Sequence, residues 1–192
     1  MIWAAIGIAM SLLACSTSFD MSSERLTPLG LEWGVVIGSV LVKPVKVAGE
    51  DDMRRDAVDV TYEFDIVQSP PGDPDGESPY AERYHLEAKA GEERIFVSRL
   101  RSGRYLVKTF SQTRFTGIGG DLDLMFESMA GEVRYVGRIL VEIPQRVSRG
   151  KGYRFTIENA RESTLKQVSH DHPDLAQQAV DVPMQARTRP EP

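Results

Sequence analysis

Residues 58–66 read Val58-Asp59-Val60-Thr61-Tyr62-Glu63-Phe64-Asp65-Ile66. Apolar and polar side chains alternate without a fault. Val58, Val60, Tyr62, Phe64 and Ile66 share one face, and Asp59, Thr61, Glu63 and Asp65 share the other. Successive side chains of a strand point to opposite faces, so this period of two predicts a strand with one buried and one solvated face.

The same signal recurs on both sides. Val35-Val36-Ile37-Gly38-Ser39-Val40-Leu41-Val42 is a β-branched run broken by Pro44 and fits a first strand. Residues 69–79 hold four prolines and two glycines, which suit neither a helix nor a central strand and predict a loop. Tyr84–Lys89 and Arg94–Leu100 flank a turn at Ala90-Gly91-Glu92, and Arg104–Phe110 follows Ser102-Gly103. Leu122, Leu124 and Phe126 mark a further strand after the Gly117–Gly120 turn. In Glu132–Ile143 the alternation assigns Val133, Tyr135, Ile139, Val141 and Ile143 to one face, with Gly137 in register. Pro144 ends that strand, 145–152 reads as a loop containing Gly150-Lys151-Gly152, and Tyr153–Glu158 closes the sheet. No long helical period separates these segments, so a mixed α/β fold is disfavoured. The expectation is a mainly β domain over residues 33–182, an antiparallel β-sandwich of about seven to eight strands with a short C-terminal helix.

That helix begins after Asn159. Asn159-Ala160-Arg161-Glu162 fits a capping box with Asn159 as N-cap and Glu162 at the third helical position, and Leu165 and Val168 make a one-sided stripe. Pro173–Val180 fits a second short helical turn. Residues 183–192, with three prolines, read as a disordered tail.

The chain has 192 residues, 41% of them hydrophobic, and a formal net charge of −5 at pH 7. Length fits one domain, and the negative balance offers no general attraction for a nucleic acid. Cysteine occurs once, which excludes a disulfide scaffold. The averages conceal an asymmetry: residues 1–14 carry no charge, and all 23 Lys and Arg and all 28 Asp and Glu follow them. This run is shorter than the roughly 20 apolar residues that span a bilayer, and has the length of a signal-peptide core.

It ends in Leu12-Leu13-Ala14-Cys15. This resembles the lipobox of bacterial lipoproteins, with an aliphatic residue at −3, a small residue at −1, and then the cysteine. No Lys or Arg precedes the apolar stretch, the one departure from that pattern. The resemblance implies a lipoprotein signal peptide over residues 1–14, with Leu12, Leu13 and Ala14 read by the signal peptidase. It further implies acylation of Cys15, so that membrane lipid is the first partner. Ser16 stands where an Asp tends to retain such proteins at the inner membrane. For a Gram-negative host, the resemblance therefore implies the outer membrane, facing the periplasm. A buried apolar thiol and an uncleaved anchor are the competing readings of the same residues. Lipidation is favoured, because an odd cysteine in an exported chain otherwise lacks an explanation. Residues 15–32 then form the lipidated N-terminus and tether. Residues 16–32 have no sustained period, and seventeen flexible residues have an r.m.s. reach of roughly 23 Å.

Two further stretches resemble sandwich proteins. Phe96–Tyr105 contains Leu100-Arg101-Ser102-Gly103-Arg104-Tyr105, similar to the Leu-x-x-Gly-x-Tyr step of prealbumin-like and immunoglobulin-like sandwiches. Ala130–Ile139 is similar to a Gly-Lys-x-x-Tyr-x-Gly strand of small bacterial lipoproteins of unknown function. Both resemblances imply a fold and carry no activity.

Catalytic patterns are sparse. Gly-x-Ser-x-Gly and His-Glu-x-x-His are absent, and no cofactor motif occurs. His170-Asp171-His172 is the one candidate metal site, and a chelate there needs further donors brought in by the fold. An exposed polar turn is the plainer reading, and His85 reads as a sheet-face residue. Gly117–Asp123 resembles a Gly/Asp calcium turn but occurs singly, so a turn into a strand is preferred. Two basic groups, Arg99, Arg101 and Arg104 and then Arg146, Arg149, Lys151 and Arg154, suit anionic head groups if the fold joins them, and otherwise solvated turns. The sequence thus points to a lipid-anchored, non-catalytic binding or structural accessory module whose partner is an envelope protein or glycan. A periplasmic metal-binding or hydrolytic domain using His170, Asp171 and His172 is the alternative.

Overall fold

The computed structural model describes residues 17–20, 31–45, 60–73, 75–78, 80–113, 119–144 and 152–187. They form two β-sheets packed face to face, with a helical layer on the outside of one. In chain order the elements are β1 (Thr17–Ser18), β2 (Trp33–Val45), β3 (Thr61–Gln68), β4 (Arg83–Lys89), β5 (Glu93–Arg101), β6 (Gly103–Gln112), β7 (Gly119–Ser128), β8 (Val133–Pro144) and β9 (Arg154–Glu158). There follow α1 (Arg161–Asp171), α2 (Pro173–Gln178), β10 (Val180–Asp181) and β11 (Gln185–Ala186). One sheet has the order β1-β4-β3-β6-β7-β11. The other runs β10-β8-β2-β5, with β9 also paired to β8. The protein is a mainly β sandwich with short C-terminal helices.

The alternation in β3 is realised as the sequence implies. Tyr62, Phe64 and Ile66 are buried in the core between the sheets, while Glu63 and Asp65 lie on the outer face against His85 and Arg83. β2 differs because it is covered on both sides, which is why its sequence is almost continuously apolar. Val36, Val40 and Val42 enter the inter-sheet core, and Val35 and Ile37 enter a second apolar cluster beneath the helices. Its neighbours are β5, antiparallel, and β8, parallel. The parallel pairing needs no tight turn, because the chain crosses to the other sheet and back twice between β2 and β8.

β8 departs from the expected single face. Between the pairs Ile37–Tyr135 and Ser39–Arg138 the ladder slips by one residue, a β-bulge at Gly137 with φ +97°. The bulge reverses the side-chain parity. Val133 and Tyr135 pack under the helices, whereas Ile139, Val141 and Ile143 pack between the sheets. One strand therefore supplies both cores.

Leu165 and Val168 are buried on the sheet, as the stripe in α1 implies. The capping box is not formed. The N-cap is Ala160, whose methyl group cannot accept a capping bond, and Asn159 Oδ1 accepts the Arg161 N–H two residues on, at 3.1 Å. The Ala160 N–H donates to the buried Tyr135 hydroxyl at 3.0 Å, which fixes the helix start to the sheet.

Both ends of the domain extend beyond the expected limits. Met184 is buried in the main core, β11 pairs with β7, and the Arg187 N–H donates to Asp123 O at 2.9 Å. Ordered backbone thus continues to residue 187. At the other end, residues 17–20 of the expected tether are part of the sandwich, because Phe19 fills a gap that the sheets leave between β4 and β5.

Candidate functional site

The N-terminal strap is the first feature that bears on function. β1 runs parallel to β4, with Thr17 opposite Tyr84 and Ser18 opposite His85, and the Phe19 N–H donates to His85 O at 3.0 Å. Ser98 Oγ of β5 donates to Phe19 O, and Arg94 of β5 is paired with Asp20. The strap therefore bridges the edge of one sheet to the edge of the other. The Phe19 ring is fully buried against Phe96, Tyr84 and Phe126, at centroid distances of 5.1, 5.9 and 6.3 Å. Cys15, Leu12, Leu13, Ala14 and Ser16 lie outside the described residues. What the structure supplies is the seat of the residues that follow them.

The second feature is the end of the sandwich where β1, β2, β4, β6 and β8 begin. Backbone bonds from Ser102 N to Glu32 O and from Gly131 N to Trp33 O tie the chain before β2 to the β5–β6 and β7–β8 turns. Gln68 N donates to Glu82 O, which brings the segment before β4 to the same end. Tyr105, at the start of β6, is buried and donates its hydroxyl to Arg101 O at 3.0 Å, a tyrosine-corner arrangement built by the Leu100-x-x-Gly103-x-Tyr105 step. Burial pushes the Tyr105 phenol far above its usual range, and that of Tyr84 as well. In the other sheet Arg99 and Arg101 lie over the Trp33 ring, at 5.0 and 5.5 Å from its centroid. Leu31 is 99% exposed, Tyr80 92% and Met129 43%, all at this end. Val180, 53% exposed and paired with Arg134 of β8, lies at its margin.

The third feature is a groove of about 800 Å³ between β5 and α1, lined in part by Asp20, Ile95, Val97, His170, Asp171 and His172. His172 ends α1, donating its N–H to Val168 O at 2.8 Å, and accepts the Ala176 N–H to open α2. Among the described residues no three His, Cys, Asp or Glu side chains converge closely enough to hold a metal ion. His85 lies apart from this turn, with Nδ1 2.6 Å from Glu63 Oε1 on the neighbouring strand.

The fold separates the two basic groups. Arg101 and Arg104 stand near Glu82 and Glu127 at the strand-start end, at 3.8 and 3.0 Å, while Arg154 lies opposite Glu142 in the β8–β9 ladder at the far end of β8. Arg146, Arg149 and Lys151 lie outside the described residues. From Gly119 on, the Gly/Asp stretch forms strand rather than a calcium loop, residues 117 and 118 lying outside the described residues: the Tyr153 ring covers Gly120, where a Cβ would come within 1.9 Å of it, and its hydroxyl donates to Asp121 O. The residues that periodicity misses are Phe19, Leu31, Tyr80 and Met129. A lone Phe in a Ser/Thr-rich stretch is the only signal any of them gives.

Fold and site together define a two-sheet sandwich with a helical cover and an N-terminal strap seated between its sheets. No protein-family model, curated protein or solved structure matches the chain.

Proposed function

We propose that this protein is a lipid-anchored envelope protein acting as a non-catalytic binding or structural accessory module. The observation that carries this reading is the Leu12-Leu13-Ala14-Cys15 sequence immediately ahead of a strap that is integral to the domain. Acyl chains on Cys15 supply the hold, since two or three chains attach stably where one binds only marginally. Among the described residues no helix is long and apolar enough to cross a membrane. Many of the described ionisable side chains are matched pairwise across strands. The ligand in this reading is an envelope protein or glycan met by the loops or an exposed sheet face.

The test of the anchor is Cys15→Ser with labelled palmitate in a bacterial host. Loss of label and release into the soluble fraction are expected, and undiminished labelling rejects the anchor. Crosslinking in intact cells tests the accessory role, with a reproducible protein or glycan adduct expected. The metal-binding or hydrolytic alternative has one observation in its favour, the presence of Asp20, His170, Asp171 and His172 around one groove. Stoichiometric Zn²⁺ or Cu²⁺ binding that is lost in His170→Ala would establish it.

A further inference from the structure

We propose that the strand-start end of the sandwich rests on the bilayer surface, with Leu31, Tyr80 and Met129 in the head-group region and Trp33 at the interface. This rests on acylation of Cys15, and it adds an orientation that anchoring alone does not require.

Single exposed apolar side chains are ordinary on a soluble domain. Their distribution here is not. Leu31 and Met129, joined through the Trp33–Gly131 and Glu132–Met129 backbone bonds, and Tyr80, three residues before β4, stand at one end of the molecule. Among the described residues the fully solvated large apolar side chains are Leu31 and Tyr80, both at this end. The chain enters the fold at that same end, because β1 is parallel to β4 and its first residue, Thr17, lies opposite Tyr84 near the start of β4.

Cys15 precedes Thr17 by two residues, a contour of about 7 Å at full extension. A domain tied that closely to its acyl chains has little room to stand off the membrane. The same two residues place the anchor beside the apolar end rather than the opposite one. The side chains there are of the types that favour the interface: amphipathic aromatics at head-group depth, with aliphatic neighbours entering by about 5–10 Å. Arg99 and Arg101 lie over the indole of Trp33 and add guanidinium groups at head-group level. Glu82, Glu127 and Glu132 partner Arg101, Arg104 and Arg134, so the charge at this end is mixed and the apolar side chains carry the contact.

Trp33 provides the probe, being the tryptophan that remains once cleavage before Cys15 removes Trp3. The acylated full chain is reconstituted into phosphatidylethanolamine–phosphatidylglycerol vesicles with bromine near the start of the acyl chains. Trp33 emission is expected to fall by about twofold or more against unbrominated vesicles. A fluorophore at Glu92→Cys, in the β4–β5 turn at the opposite end, is expected to stay bright. The variant Leu31→Glu, Tyr80→Glu, Met129→Glu, altered only at exposed positions, is expected to remain acylated and vesicle-bound while Trp33 recovers its emission. Unquenched Trp33 in acylated, co-sedimenting protein overturns the docking and leaves the anchor standing. Equal quenching of both probes overturns the orientation. An unacylated Cys15 by mass spectrometry overturns the anchor and the docking together.

Discussion

The ring of Phe19 stands edge-on to that of Phe96, centroids 5.1 Å apart, with one ring on the strap and the other on β5. Phe19→Ala removes the element that fills the gap between the sheets. Large-to-small changes at a buried Phe cost about 3–5 kcal/mol where the cavity persists. The strap is short and is able to leave as a unit, so the expected loss is at the lower end, about 3 kcal/mol. Urea unfolding measures it. Hydrogen exchange adds a local readout, because the Phe19 amide, bonded to His85 O, should lose its protection before that of β4 does. An unchanged midpoint with a protected Phe19 amide would contradict the strap's structural role.

The sandwich was legible because its strands obey simple patterns. Tyr62, Phe64 and Ile66 alternate with charges, and the almost continuously apolar run at Val35–Val42 matches a strand covered on both faces. What escaped was set by tertiary contacts. Gly137 keeps the sequence alternation intact on paper while its bulge moves Tyr135 and Ile139 into different cores. Asn159 looks like a cap but accepts from Arg161 rather than Glu162, and the Tyr135 hydroxyl accepts the Ala160 N–H. Phe19 is a single apolar residue without a period, and its importance depends on a gap that exists only once both sheets are built. The exposed apolar end was invisible for a related reason. Leu31, Tyr80 and Met129 are far apart in sequence, and only strand order brings their turns together.

Gly137 and Gly91 offer a matched test of the bulge. Both have positive φ, +97° and +80°, so alanine is strained at either. A Cβ at Gly91 meets nothing within 4 Å, whereas one at Gly137 lies 3.0 Å from Ile157 Cγ2 and 3.4 Å from Glu158 O. Backbone strain of about 1–3 kcal/mol is expected for each alanine variant. Gly137→Ala should lose more than Gly91→Ala, with the excess read from thermal or urea melts. Equal losses would mean that β9 yields freely to the added methyl.

Alkaline pH should unfold the protein through its tyrosines. Burial raises the phenol pKa of Tyr62, Tyr84, Tyr105, Tyr135 and Tyr153 above the ordinary value near 10. The folded state then holds protons that the unfolded chain releases. This contribution is present in full below about pH 10 and is lost as pH rises toward the folded-state values. The 295 nm absorbance of these five phenols and the circular dichroism should therefore change together above pH 10. Titration of these phenols near 10 with the fold intact would show that their burial is not maintained in solution.

Arg138 and Glu93 allow electrostatics to be separated from exposure. Arg138 reaches across β2 with two N–H···O bonds of 2.9 Å, Nε to Oε1 and Nη2 to Oε2, and its Nη1 lies 3.4 Å from Glu158 Oε2 on β9. The Arg138 and Glu93 side chains are 18% and 23% exposed, against 64% and 44% for the single-bonded pair Arg104–Glu127. Paired N–H···O geometry in a partly desolvated site strengthens the charge-assisted bonds and weakens salt screening. Double-mutant cycles with Arg138→Met and Glu93→Gln should return a coupling of about 1–2 kcal/mol, largely retained in high salt. The cycle with Arg104→Met and Glu127→Gln should return no more than about 0.5 kcal/mol, vanishing in salt. If the two couplings are equal, the bond across β2 adds nothing beyond an ordinary surface pair.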